Sequence, residues 1–411
     1  MTPEFERSLN QYAELIVKVG LNLQPGQRLL IRGPIEAAPL ARLVAARAYD
    51  MGGRLVETIL NDPQLLLTRY RHAPRDSFSE HSDWRWRAGL EYVEAGGALL
   101  SIAGVDPYLL KGIDPELIGT LQRSEGRAAL PFSSRISADE INWCVVGYAT
   151  KGWADRVFPD LPPAEAQARL WEAIFRTVRL DAADPLAAWE AHNANLAARS
   201  AYLNGKQYAA LHYRGSGTDL IVGLPENHLW IGGAAPTGIG ITNVANMPTE
   251  EVFTAPHRDR VDGTVRATMP LNVGGNLIED FSLTFENGRV VDVRAGSGEA
   301  ILRAQVEMDE GASRLGEVAL VPHSSPISQS GVLFYNTLYD ENASSHLAIG
   351  RAYRNCIAGC EEASEEEFAA RGGNTSATHL DFMIGSAEID IDGITADGER
   401  EPVMRGGEWA D

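Results

Sequence analysis

From Pro3 to Gly20 the chain reads PEFERSLNQYAELIVKVG, with Phe5, Leu9, Tyr12 and Ile16 at spacings of three and four. That period predicts an amphipathic helix, with Thr2 placed as its N-cap and Pro3 in its first turn. Strand and helix signals then alternate: QRLLIRGP, the helix AAPLARLVAARAYDMG ended by glycine, RLVETILN, a polar helical stretch, GGALLSIAG and INWCVVGYAT. This is the βαβ rhythm of a parallel sheet flanked by helices. No G-x-G-x-x-G follows a strand there, so no dinucleotide site is expected.

Residues 161–204 read as two helices, the second opening at Asp184-Pro185. A domain border is placed near residue 183. Beyond it the pattern shortens to alternating runs broken by glycine: YAALHYR, DLIVGL, HLWIGG, EEVFTAP, GTVRAT, EVALVP. In LTFENGRVVDV, Asn287-Gly288 separates two alternating strands, a hairpin signal. The expected fold is an α/β N-terminal domain with a parallel sheet (residues 1–182). A larger α+β domain with a mostly antiparallel sheet (183–411) follows and carries the chemistry. The glycine loops RGSGTD and PTGIGITN fit tight turns, since neither leads into a helix with a following lysine.

Composition narrows the function classes. A 44% hydrophobic, 22% charged chain of 411 residues is long enough for two or three cored domains. The net charge of -20 argues against nucleic acid and anionic membrane as partners, since both call for a basic footprint. Three cysteines, Cys144, Cys356 and Cys360, suggest no disulfide framework and fit a reducing cytoplasm. Cys356 and Cys360 stand at helical i, i+4 spacing with no second Cys/His pair at zinc-finger distance, so they read as buried packing. The N-terminus carries acids early and no signal-peptide core, and no run of about 18 apolar residues predicts a membrane span.

Residues of metal-ligating type gather in four places in the second half. His379 and Asp381 stand two apart at the head of an apolar run, so a strand would project both from one face. Alone, a His-x-Asp is more readily a solvated edge strand that happens to carry two polar groups. Glu250 and Glu251 precede a β-branched, aromatic run, and strand alternation lets only one of them join a common site. Glu317 opens an apolar strand, where a carboxylate is expensive unless it is paired or metal-bound. Glu341, His346 and Tyr353 share LYDENASSHLAIGRAY. His72, His81, His192, His212, His228, His257 and His323 show no paired ligand spacing and are read as structural or supporting. No H-E-x-x-H occurs, which gives no support to a helix-borne single-zinc peptidase.

The segments NMPTEEVFTAPHRDRVDG, LGEVALVPHSSPIS, LYDENASSHLAIGRAY and HLDFMIGS, in this order and spacing, closely resemble the thermophilic-type aminopeptidases, the aminopeptidase T and aminopeptidase S family. The opening ELIVKVGLNLQPGQRLLI resembles that family's start, so the likeness covers the whole chain. The resemblance implies two divalent ions per chain (zinc, cobalt or manganese) held by Glu251, Glu317, His346, His379 and Asp381. It implies hydrolysis of peptides with a free N-terminus through a metal-bound hydroxide, and a homodimer. Two such ions lower the pKa of a bound water to about 7 and polarise the scissile carbonyl. Glu341 is then a further ligand or the general base, and Tyr353 an oxyanion donor or an aromatic core residue.

The rival expectation is a one-iron ring-cleaving dioxygenase on the same fold, for which His346, His379 and Asp381 alone suffice. Glu251 and Glu317 are superfluous there and required for two metals, so the peptidase is favoured. A non-catalytic binding protein on the same scaffold is expected to lose ligands, and none is missing.

Overall fold

The computed structural model describes residues 2–273 and 276–410. It divides into two compact units, residues 1–191 with 234–248, and residues 192–233 with 249–411. The chain passes from the first to the second within the helix Pro185–Lys206.

In the first unit the strands Arg28–Pro34, Leu55–Asn61, Ala98–Ala103 and Trp143–Gly147 form a parallel sheet in the order second, first, third, fourth. Helices connect them, as the alternating sequence predicts. The opening helix Pro3–Leu15 starts where Thr2 accepts the Phe5 N–H at 3.2 Å, and it buries Leu9, Tyr12 and Leu15. Two features escaped the sequence pattern. The 23-residue helix Pro115–Ser137 runs through Pro131, a residue that ordinarily breaks a helix. The pair Asn246–Met247 also returns to this unit as a fifth parallel strand beside Trp143–Gly147, so the segment 234–248 lies across the border placed near 183.

The second unit is built on two antiparallel sheets rather than one. Eight strands follow the order Arg289–Arg294, Ser282–Glu286, Val261–Arg266, Thr218–Gly223, Ala210–Gly215, Asp390–Ile394, Arg400–Arg405 and Glu408–Trp409. Four more follow the order Val252–Thr254, Leu315–Leu320, His346–Gly350 and His379–Met383. One apolar core joins them: Leu211, Tyr213, Val222, Leu283, Phe285 and Ile391 from the larger sheet meet Val252, Val318, Leu320, Leu347, Ile349 and Phe382 from the smaller. The hairpin at Asn287-Gly288 forms as expected, with φ of 49° and 80° in its turn. HLWIGG is no regular strand; it contributes only isolated bridges at His228 and Ile231. Cys356 and Cys360 are free and buried as read, but Cys356 ends a short 3-10 turn, Arg354–Cys356, so the helical spacing does not mark a helix. No described helix is long and apolar enough to cross a membrane.

Candidate metal centre

The four-stranded sheet places the ligand-type residues by simple alternation. Val318, Leu320, Leu347, Ile349 and Phe382 face the shared core, so their neighbours face the other way. In the register Glu317 lies opposite Ala348, and Ala348 opposite Asp381, while His346 lies opposite Ala319 and Met383 and His379 opposite Gly350. Glu317, His346, His379 and Asp381 therefore share one face. A methyl group at Ala348 is all that the register places between the two carboxylates. A β-bulge between Leu315 and Glu317 sets the phase of the Glu317 strand, whose six residues are all buried. Glu317 is thus the third residue of the strand, not its opening one.

Glu250 and Glu251 precede the strand Val252–Thr254 instead of lying within it, yet the two still diverge. Glu251 Oε2 is 3.1 Å from His346 Nε2. Glu250 Oε2 lies 3.7 Å from His192 Nε2, and its backbone N–H donates to Asn342 Oδ1 at 2.7 Å. Both glutamates are buried, at 3% and 7% exposure, so the outward-facing one is buried in a different direction rather than solvated.

The two imidazoles are oriented alike. His346 Nδ1 lies 3.1 Å from the Ser344 carbonyl and His379 Nδ1 2.7 Å from the Arg351 carbonyl. A carbonyl only accepts, so each Nδ1 carries the proton and each Nε2 is turned to the carboxylates. His346 Nε2 is 3.5 Å from Glu317 Oε1, and His379 Nε2 is 3.4 Å from Glu317 Oε2 and 3.2 Å from Asp381 Oδ1. Donor atoms consequently gather in two groups, Glu251–Glu317–His346 and Glu317–His379–Asp381, each with its atoms within 4.8 Å of one another. Glu317 belongs to both, one oxygen to each side.

Electrostatics follow from this crowding. Burial pushes the Glu251 carboxyl up, and His346 offsets it only in part. Burial works upward on Glu317 too, but the flanking imidazoles outweigh it and hold that carboxyl at about 2. Burial alone would lower both imidazoles, yet their carboxylate neighbours raise them well above the ordinary histidine value. The buried carboxylates therefore favour positive charge among them. Glu251 Oε2, buried, accepts no well-formed hydrogen bond among the described residues, and a metal ligand needs just such an open lone pair.

Glu341 starts a short 3-10 turn, Glu341–Ala343, and is partly exposed. Loss of hydration, together with Glu251 and Asp381, pushes its carboxyl well above the usual range. Tyr353 is half-buried, its ring centroid 5.2 Å from that of His379 and 5.9 Å from that of Phe253. Burial first, then Glu317, Asp381 and Glu341, keep its hydroxyl protonated. Sequence reasoning passed over Asn342, which is fully buried. Its Nδ2 donates to the Leu338 carbonyl at 3.0 Å and lies 3.5 Å from Glu341 Oε1, while its Oδ1 holds Glu250. It ties the Glu250-Glu251 segment to the Glu341 turn, and a polar residue beside Glu341 was its only trace in the sequence.

Residues 5–409 match the family described as thermophilic metalloprotease (M29). The chain is 50% identical to Aminopeptidase 2 of Geobacillus stearothermophilus over 99% of its length and 98% of that protein's. It is 48% identical to Aminopeptidase AmpS of Bacillus subtilis (strain 168), covering 99% of each. The solved structure of wild-type AmpT from Thermus thermophilus superposes with a TM-score of 0.95 at 47% identity, over 99% of this chain and all of that one. With its whole length matched and its acidic histidine cluster in place, the chain belongs to the thermophilic metalloprotease family (M29).

Proposed function

We propose that the protein is an aminopeptidase that removes the N-terminal residue of peptides with two divalent ions per chain. The observation that carries the reading is Glu317, one oxygen of which faces the Glu251–His346 group and the other the His379–Asp381 group. Glu251, Glu317 and His346 would hold one ion, and Glu317, His379 and Asp381 the other. When bound, such a pair supplies a water acidic enough to attack at neutral pH and polarises the scissile carbonyl.

The remaining work falls to the chain's own groups. Three ligand carboxylates against two divalent ions leave one positive charge, which hydroxide or a developing oxyanion neutralises. Glu341, its carboxyl pushed up by burial and by Glu251 and Asp381, would take the proton of the attacking water and pass it to the leaving amine. The Tyr353 hydroxyl, kept neutral by the acids around it, is a donor for the oxyanion. Mixed carboxylate and imidazole ligation suits zinc, cobalt or manganese. The relatives' names, aminopeptidases throughout, support a free N-terminus as the substrate feature, and a homodimer belongs to the same proposal. A one-iron dioxygenase would gather His346, His379 and Asp381 around one point, whereas His346 and Asp381 fall in separate donor groups.

The test is hydrolysis of matched unblocked and N-acetylated aminoacyl substrates by the protein reconstituted with each divalent ion. Cleavage of the unblocked series alone is expected. Equal cleavage of the acetylated series would contradict an aminopeptidase.

A further inference from the structure

The first unit carries a cavity of about 700 Å³ that shares no residue with the carboxylate cluster. It lies at the carboxyl ends of the parallel strands, against Arg32 and Gly33 of the first, Leu60 and Asn61 of the second, and Ser101 and Ile102 of the third. The chain moves from Arg28–Pro34 to Leu55–Asn61 on one side, then crosses back to Ala98–Ala103 on the other. Such a reversal opens a crevice at the strand ends, and open α/β sheets bind ligands there. The volume falls within the range typical of small-molecule sites, about 300–1,000 Å³.

The lining states the ligand's chemistry. Three guanidinium groups, Arg32, Arg69 and Arg85, meet two carboxylates, Asp62 and Glu125, in a protein whose net charge is -20. Arg69 is already engaged: it donates to the Ser77 and Glu80 carbonyls at 2.9 and 3.2 Å. Asp62 is engaged as the cap of the helix Pro63–His72, accepting the Gln64 N–H at 2.9 Å. Arg32 is half-buried, stacked 4.9 Å from the Trp86 ring centroid and 5.4 Å from that of Phe132. Neither Arg32 nor Arg85 forms an ion pair among the described residues, and the nearby charge felt by Arg32 is that of Arg85. Neither Asp62 nor Glu125 forms an ion pair with Arg32 among the described residues, and a half-buried cation facing another cation is costly without a paired anion. At the same cavity Leu65, Leu66 and Val105 are exposed by 67%, 37% and 45%, an apolar surface with nothing on it.

We propose that this crevice is a second ligand site that takes a small organic anion, its carboxylate or phosphate head against Arg32 and Arg85 and its apolar body against Leu65, Leu66 and Val105. The cavity is far larger than an inorganic anion needs, and the apolar side chains have no use for one.

Calorimetric titration of the metal-loaded protein with N-acetyl-L-leucine and, separately, phenyl phosphate tests this. Arg85→Gln and Arg32→Gln are the variants, with circular dichroism as the check on folding. Arg85 is exposed, so its variant is expected to fold even if loss of Arg32 disturbs the Trp86–Phe132 stack. One site per chain for at least one probe, weakened at least about tenfold in Arg85→Gln as a lost charge-assisted contact requires, supports the proposal, and the probe that binds names the head group. No saturable binding of either probe overturns it. So does binding equal in wild type and Arg85→Gln, which places the probe elsewhere. So does a concentration-dependent mass in wild type that Arg85→Gln abolishes while neither probe binds, which makes the crevice an interface between copies.

Discussion

The ring of Tyr353 lies 5.2 Å from the imidazole of His379, tilted by 57°. That contact brings the phenol to the edge of the carboxylate cluster, and Phe253 also packs edge-on against its ring. If the hydroxyl donates to the oxyanion, Tyr353→Phe keeps the fold and the metal content and lowers kcat by roughly 10²-fold or more, with little change in KM. A variant with kcat within a few-fold of wild type would show that the ring only packs.

Glu317 and Glu250 are both buried glutamates, but only Glu317 touches both donor groups. Glu317→Gln is expected to lose metal and activity together. Glu250→Gln, beside His192, is expected to retain metal content. Elemental analysis of the two purified variants decides, and equal metal losses would show that the divergence of Glu250 and Glu251 does not separate their roles.

Asp340 accepts the backbone N–H groups of Phe334 and Asn336 at 2.8 and 2.9 Å and so pins the loop in which Tyr335 sits at φ 54°. Burial pushes its carboxyl to about 7, against the backbone donors that favour its charge. Between about pH 4 and pH 7 the native state therefore holds a proton that the unfolded chain has released, and stability falls as pH rises through that window. In Asp340→Asn that part of the decline disappears. Thermal midpoints measured across this range check it, and an identical slope in the variant would mean that Asp340 titrates normally.

Much of this was legible in the sequence because period and alternation are local. The opening helix, the βαβ order, the Asn287-Gly288 hairpin and the shared face of His379 and Asp381 all follow from spacing alone. What spacing cannot carry is register between distant strands. That Ala348 separates Glu317 from Asp381, and that Glu317 reaches both imidazoles, depends on a bulge at the Glu317 strand and on two successive pairings, Glu317 with Ala348 and Ala348 with Asp381, between residues 31 and 33 positions apart. The return of Asn246–Met247 to the first sheet was hidden for the same reason, since two residues are too few to show a pattern. His192 reads as no more than structural or supporting because Glu250, which it approaches, is 58 positions away.

The claim that Glu317 is shared between two ions is tested most directly by counting metal per chain while activity is restored to chelated protein. Folding should survive chelation, because four of the five ligands, Glu317, His346, His379 and Asp381, sit on strands already paired. Activity should reach its plateau at two divalent ions per chain in wild type, and Glu317→Gln should fail to hold the pair. Full activity at a single ion per chain, or a Glu317→Gln variant that holds two and works normally, would contradict the account.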